Sequence, residues 1–312
     1  EVARSYFEQA IATPGAPPEV VAAAQQLMTS GVSIAGSPSG FSLYSYNGMR
    51  YQTNASAGPS AALVRSFGDL TSLNNQFGKA PDWNYFTLNN ASYVHDLGTG
   101  ISAEFNLFSY YAKQVNLSRF DLGIVEFQAG PRIAVQSSLV SDASIKLYGI
   151  GTASWLAEDP YYSGAGFGIS SRYTLAGVRL EPSYEYRDRN FKNSELYDTS
   201  AQQTGVLHVA ALNGDGTLFG LAWVGRLSGG WNRTDSPVFD FNSYDRFTAD
   251  IGFPIPYSLN WWGKEWQFVF TPTAGFGFTD YLRPNPTIDA SISRQDREWR
   301  VGAAFDMQVY EN

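Results

Sequence analysis

The sequence predicts an all-β fold, a transmembrane antiparallel β-barrel. Three observations support it: alternation of charged and apolar residues, a composition rich in aromatics and poor in charge, and turn signals at short intervals. In Val178–Arg187 (VRLEPSYEYR), Val178, Leu180, Pro182, Tyr184 and Tyr186 share one parity and Arg179, Glu181, Ser183, Glu185 and Arg187 the other. Successive strand side chains point to opposite faces, so the segment has one lipid-compatible and one charged face. Glu126–Val135 repeats the pattern, with Phe127, Ala129, Ile133 and Val135 opposite Glu126, Gln128 and Arg132. Glu298–Val309 does so again, with Trp299, Val301, Ala303, Phe305, Met307 and Val309 opposite Glu298, Arg300, Asp306 and Gln308.

The N-terminal residues 1–31 follow a different period. EVARSYFEQAIA places Val2, Tyr6, Phe7 and Ile11 along one side of a helix that the Pro14–Pro18 stretch ends, and a second helix runs from about 17 to 28, with Gly31 as its stop. Residues 32–39 (VSIAGSPS) form a linker. From residue 40 to 312 the chain reads as strands, placed at 41–54, 83–97, 101–115, 121–135, 144–156, 164–175, 178–191, 203–213, 217–229, 241–255, 264–281 and 295–310. Gly98–Gly100, Ala176–Gly177 and Asn213–Gly216 mark tight hairpins. Ala55–Asp82, Lys192–Gln202, Gly230–Asp240 and Leu282–Arg294 are long connections, and short turns on one rim with long loops on the other are the plan of an outer-membrane barrel. The last strand lacks the terminal aromatic residue usual in such barrels, so about 12 strands are visible and 14 are expected in the full protein.

Composition agrees. Aromatic residues make up 15% of the chain and charged residues 16%, as expected of a lipid-facing surface with aromatic girdles. Trp155, Tyr161 and Tyr162, and Trp261, Trp262 and Trp266, sit at strand ends and fit the two girdles. No run of about 18 apolar residues exists, so a membrane-spanning helix is not expected. The net charge of −8 argues against nucleic acid as a partner, because phosphate binding needs a basic surface. With no cysteine, a disulfide framework is impossible.

The chain also resembles a known arrangement. Ala3, Phe7 and Ala10 fit the A-x3-F-x2-A pattern of the second helix of a tetratricopeptide repeat, with Pro14 near the expected repeat end. Arg50–Pro59 (RYQTNASAGP) resembles the Y-x-S-N-x-N ending of first strands in bacterial barrels that carry periplasmic tetratricopeptide repeats, with Thr53 in place of Ser and Ser56 in place of the second Asn. Such barrels include the surface lipoprotein assembly modifiers and the exopolysaccharide export porins. The resemblance implies a bacterial outer-membrane barrel of about 14 or 16 strands with a periplasmic helical part, exporting a polypeptide or a polysaccharide. The alternatives for residues 1–31 are a lumen plug or a lone periplasmic cap. The alternative for the whole is a non-transporting barrel that anchors a surface assembly. Outer-membrane lipid, an exported macromolecule and a surface or periplasmic protein are the expected partners.

Candidate lumen-lining residues follow from strand parity: Arg50, Glu104, Glu126, Arg132, Lys146, Arg172, Arg179, Glu181, Glu185, Arg187, Arg226, Arg246, Asp250, Glu298, Arg300 and Asp306. A charge facing lipid costs about 2–4 kcal/mol near the midplane, so their shared parity points to a wet interior. They form either a ladder of ion pairs stiffening the wall or a conduit lining, with Arg179, Glu181, Glu185 and Arg187 as the densest strip. No catalytic, cofactor or metal site is expected. His95 and His208 have no Ser partner at short spacing and no His-x-His arrangement. The Gly164–Gly168 run (GAGFG) lacks the Lys-Ser/Thr and helix of a phosphate cradle, and is read as relief of crowding on the inner face.

Overall fold

The computed structural model describes residues 39–56, 63–72, 78–261 and 264–307. The expected helices of 1–31 and nearly all of the 32–39 linker lie outside them. The strands are β1 (Gly40–Gln52), β2 (Leu63–Ser66), β3 (Asp69–Ser72), β4 (Asp82–Gly98), β5 (Ile101–Gln114), β6 (Leu122–Ala134), β7 (Ser141–Leu156), β8 (Asp159–Leu175), β9 (Val178–Phe191), β10 (Gly205–Leu218), β11 (Leu221–Thr234), β12 (Tyr244–Gly252), β13 (Ile255–Trp261), β14 (Lys264–Tyr281) and β15 (Gln295–Met307).

β2 and β3 form a small hairpin inside the first long loop, and the other thirteen strands form one antiparallel sheet. Each strand pairs with its neighbour along the chain, apart from a change at β12 to β14. There β12 and β13 both pair with the long β14 and act as one stave. The break at Phe253–Pro254 has a local cause, since Pro254 carries no N–H for a ladder. The sheet thus has twelve staves, as expected, in an all-β, barrel-like meander.

The two rims differ as the sequence predicts. Two-residue turns at Ala176–Gly177 and Phe219–Gly220 have both residues at positive φ, the type I′ geometry that matches strand twist. They share a rim with the turn at Thr99–Gly100. The long connections lie on the opposite rim, together with the tight Ala157–Glu158 turn. At this long-loop rim, Tyr197 donates to the Arg119 carbonyl from the next long loop. Burial raises the pKa of the Tyr197 phenol, which keeps it a donor.

One turn differs from expectation. Asn213–Gly216 is not a hairpin but the body of β10, and the turn falls at Phe219–Gly220. The glycines serve packing instead: a Cβ on Gly214 would sit 3.0 Å from the Trp223 ring and 3.3 Å from Leu180. β10 and β11 therefore run to 205–218 and 221–234 rather than 203–213 and 217–229.

The sheet's two faces are opposite in character. Among the described residues, the buried set holds 19 polar or charged side chains and 11 apolar ones. Large apolar side chains are exposed on the other face, among them Val301 at 91%, Trp299 at 77%, Phe127 and Leu147. Soluble domains show the reverse. A mid-strand patch interrupts the apolar face, where Ser45 Oγ donates to Asn89 Oδ1 at 2.7 Å and Asn89 Nδ2 reaches Ser109 Oγ at 3.3 Å.

Candidate functional site

The register places Arg50, Glu104, Glu126, Arg132, Lys146, Arg172, Arg179, Glu181, Glu185, Arg187, Arg226, Arg246, Asp250, Glu298 and Arg300 on one face of the sheet. The backbone of Asp306 pairs with Val269 on β14. This face is concave. Arg187 on β9 meets Glu126 on β6, three staves away, at 2.5 Å, although strands that far apart in a flat sheet are separated by about 14 Å. Curvature toward the charged face brings the pair together.

Two ion-pair clusters cover the wall from β5 to β9. In the first, Glu104 takes Arg132 Nε at 2.7 Å and Lys146 Nζ at 3.1 Å, while Glu181 takes Arg172 Nη2 at 3.0 Å and Arg132 Nη2 at 3.5 Å. Lys146 and Glu104 are 2% and 3% exposed, so the cluster is dry and its charges are held by one another. In the second, Arg187 bridges Glu126 and Glu185, with its Nη2 2.7 Å from Glu185 Oε2. Tyr148 donates to the other Glu185 oxygen at 2.8 Å, and Gln128 to Glu126 at 2.9 Å.

Glycine makes this second cluster possible. Gly164, Gly166 and Gly168 lie on the concave face of β8, between Tyr148 on β7 and Arg187 on β9. A Cβ on Gly168 would strike the Tyr148 ring, and one on Gly166 the Tyr186 carbonyl. The bare backbone of β8 lets side chains from both neighbours lie across it. Gly275 on β14 acts likewise, because Arg300 from β15 reaches Asp250 on β12 at 2.7 Å across the space its side chain would occupy.

Of the densest predicted strip, all four members are paired. Arg179 binds Asp215 through two N–H groups at 3.0 and 2.6 Å, Glu181 binds Arg172, and Glu185 and Arg187 bind each other. Toward the other edge, Arg300 also takes Glu298 at 2.9 Å and Arg246 lies 3.5 Å from the same carboxylate.

Three arginines on this face have no carboxylate within ion-pair distance among the described residues. Arg50 Nη2 donates to Tyr110 at 3.3 Å and its guanidinium lies 5.4 Å over Phe86. Arg189 donates to Asn232 and stacks 5.3 Å over Phe191. Arg226 donates to Asn213 at 3.2 Å. The Nε of each is buried without a partner.

Reading by sequence missed Arg189 and Asp215. Arg189 continues the parity of Arg187 and was legible there, whereas Asp215 was hidden by reading its segment as a turn.

Both histidines lie on the opposite, convex face. His208 Nδ1 is 2.6 Å from the Tyr184 hydroxyl. His95 Nδ1 is 3.2 Å from Ser39 Oγ and 3.4 Å from Tyr93. The fold thus supplies His95 with a serine that short-range spacing could not reveal; the contact is solvent-exposed, and among the described residues no carboxylate hydrogen-bonds to the ring. Among the described residues no group of three His, Cys, Asp or Glu side chains is placed to hold a metal ion. No family model matches the chain, and no curated protein matches it significantly.

Proposed function

We propose that the chain is the wall of an outer-membrane barrel that gives a macromolecule, polypeptide or polysaccharide, a polar route across the membrane. The inverted polarity of the sheet is the observation that supports this reading: apolar side chains cover the convex face while buried charges line the concave one. In water such an exposed apolar face would drive association, whereas in a bilayer it faces lipid and the charges stay inside. A meander in which each strand pairs with its neighbours also suits a membrane, since it leaves few backbone groups unpaired.

A second reading, a non-transporting anchor, is favoured by the dry Glu104–Lys146–Arg132–Glu181 cluster, which packs side chains where a wide pore would hold water. Conductance of the purified full chain in planar bilayers separates the two. Steps of stable conductance support the passage. Silence across voltages, with the protein shown to be inserted, supports the anchor.

A further inference from the structure

We infer that the passage prefers anions, and that Arg50, Arg189 and Arg226 set the preference; the inference rests on the passage proposed above. Along the concave face most guanidinium and ammonium groups are neutralised by a carboxylate within 4.0 Å, so their fields cancel at short range. Arg50, Arg189 and Arg226 are not. Their partners are a phenol and two carboxamides, which accept a hydrogen bond without cancelling the charge.

Nearby acids are committed elsewhere. Asp250, directly across from Arg226 in the β11–β12 register, is taken by Arg300. Asp82, on the strand beside Arg50, keeps its charge but is held by the backbone N–H groups of Asn116 and Leu117 and the side chain of Asn116, each at 2.8 Å, and makes no ion pair with Arg50. These three guanidinium groups therefore have no carboxylate at ion-pair distance among the described residues, although the chain as a whole carries −8. Two stand near the long-loop rim, Arg50 two residues from the end of β1 and Arg189 two from the end of β9, and Arg226 lies deeper. A planar guanidinium suits oxyanions, so the solutes favoured are those bearing carboxylate, sulfate or phosphate groups.

The reversal potential of the full chain in a KCl gradient tests this, with chloride and potassium as the probes. At about 0.1 M salt chloride should permeate in preference to potassium, and the preference should shrink toward 1 M, where the Debye length falls to about 3 Å. Replacing Arg50, Arg189 and Arg226 by Gln, singly and together, should lower the chloride-to-potassium permeability ratio stepwise, by about twofold or more for the triple variant. The Lys variants, which keep the charge, should retain the wild-type ratio. A conducting wild type that passes potassium as readily as chloride overturns the anion preference and leaves the passage standing. A wild type that does not conduct overturns both. Should a Gln variant not fold, the wild-type reversal potential and its salt dependence still decide.

Discussion

Arg187 illustrates how a single side chain holds this wall together. Its two terminal nitrogens tie β6 to β9 over two intervening staves, and that reach exists only because Gly164, Gly166 and Gly168 leave β8 bare. Arg187→Gln should leave Glu126 and Glu185 without a counter-charge in a poorly hydrated place and cost about 3–5 kcal/mol. A fall in the temperature at which the folded band is lost on a gel measures it. Gly130 gives a sharper steric test. A Cβ there would meet the Leu147 carbonyl oxygen, a backbone atom that cannot step aside, whereas Gly151 on the neighbouring strand has open space. Gly130→Ala should fail to give a folded band and Gly151→Ala should fold like the parent; equal behaviour of the two would show that β6 and β7 do not approach as closely as described.

For each element, the legible part was set by period and the illegible part by packing. Alternation located twelve staves and put the charges of a stave on one parity, because a one-residue slip would move all its charges to the other side. Borders were lost where glycine had two meanings. In Asn213–Gly216 two glycines beside Asn and Asp read as a turn by composition, but they stay in β10, where Gly214 leaves room for Trp223. The true turn, Phe219–Gly220, was obscured by a large aromatic residue at positive φ. Gly220, at φ +79°, is the residue on which that hairpin depends. Gly220→Val should therefore destabilise by about 1–3 kcal/mol, seen as a lower denaturation midpoint, with the sheet otherwise intact. The ion pairs were legible only as a parity; which acid meets which base depends on curvature, and no spacing in the sequence encodes a contact across three staves.

For the molecule as a whole, the decisive property is the inversion of inside and outside. If the apolar face meets lipid as proposed, Val301→Arg or Phe127→Arg would put a charge there at a cost of about 2–4 kcal/mol near the bilayer midplane, and each should block membrane assembly. Gln128→Asn, on the concave face, should assemble normally. Membrane fractionation after expression reads both, and loss of assembly in all three would mean the faces are assigned wrongly. The Ser45–Asn89–Ser109 patch shows how the apolar face accommodates polar groups: they bond to one another, which would reduce the penalty of facing hydrocarbon in the proposed bilayer setting.

The small β2–β3 hairpin touches a loop far along the chain. At its tip Phe67 N–H donates to the Thr287 carbonyl at 3.0 Å and Gly68 N–H to the Ile288 carbonyl at 2.8 Å, joining the loop after β1 to the loop before β15, over 200 positions apart. Nearly all the other pairing is between neighbours and can form in the order the chain is made. This contact cannot: it waits for the β14–β15 hairpin and has to close a loop of over 200 residues. Assembly therefore has a step of its own, in which the loop after β1 is brought to the loop before β15. Weakening the tip should slow that joining while leaving the hairpins between neighbours to form at their usual rate.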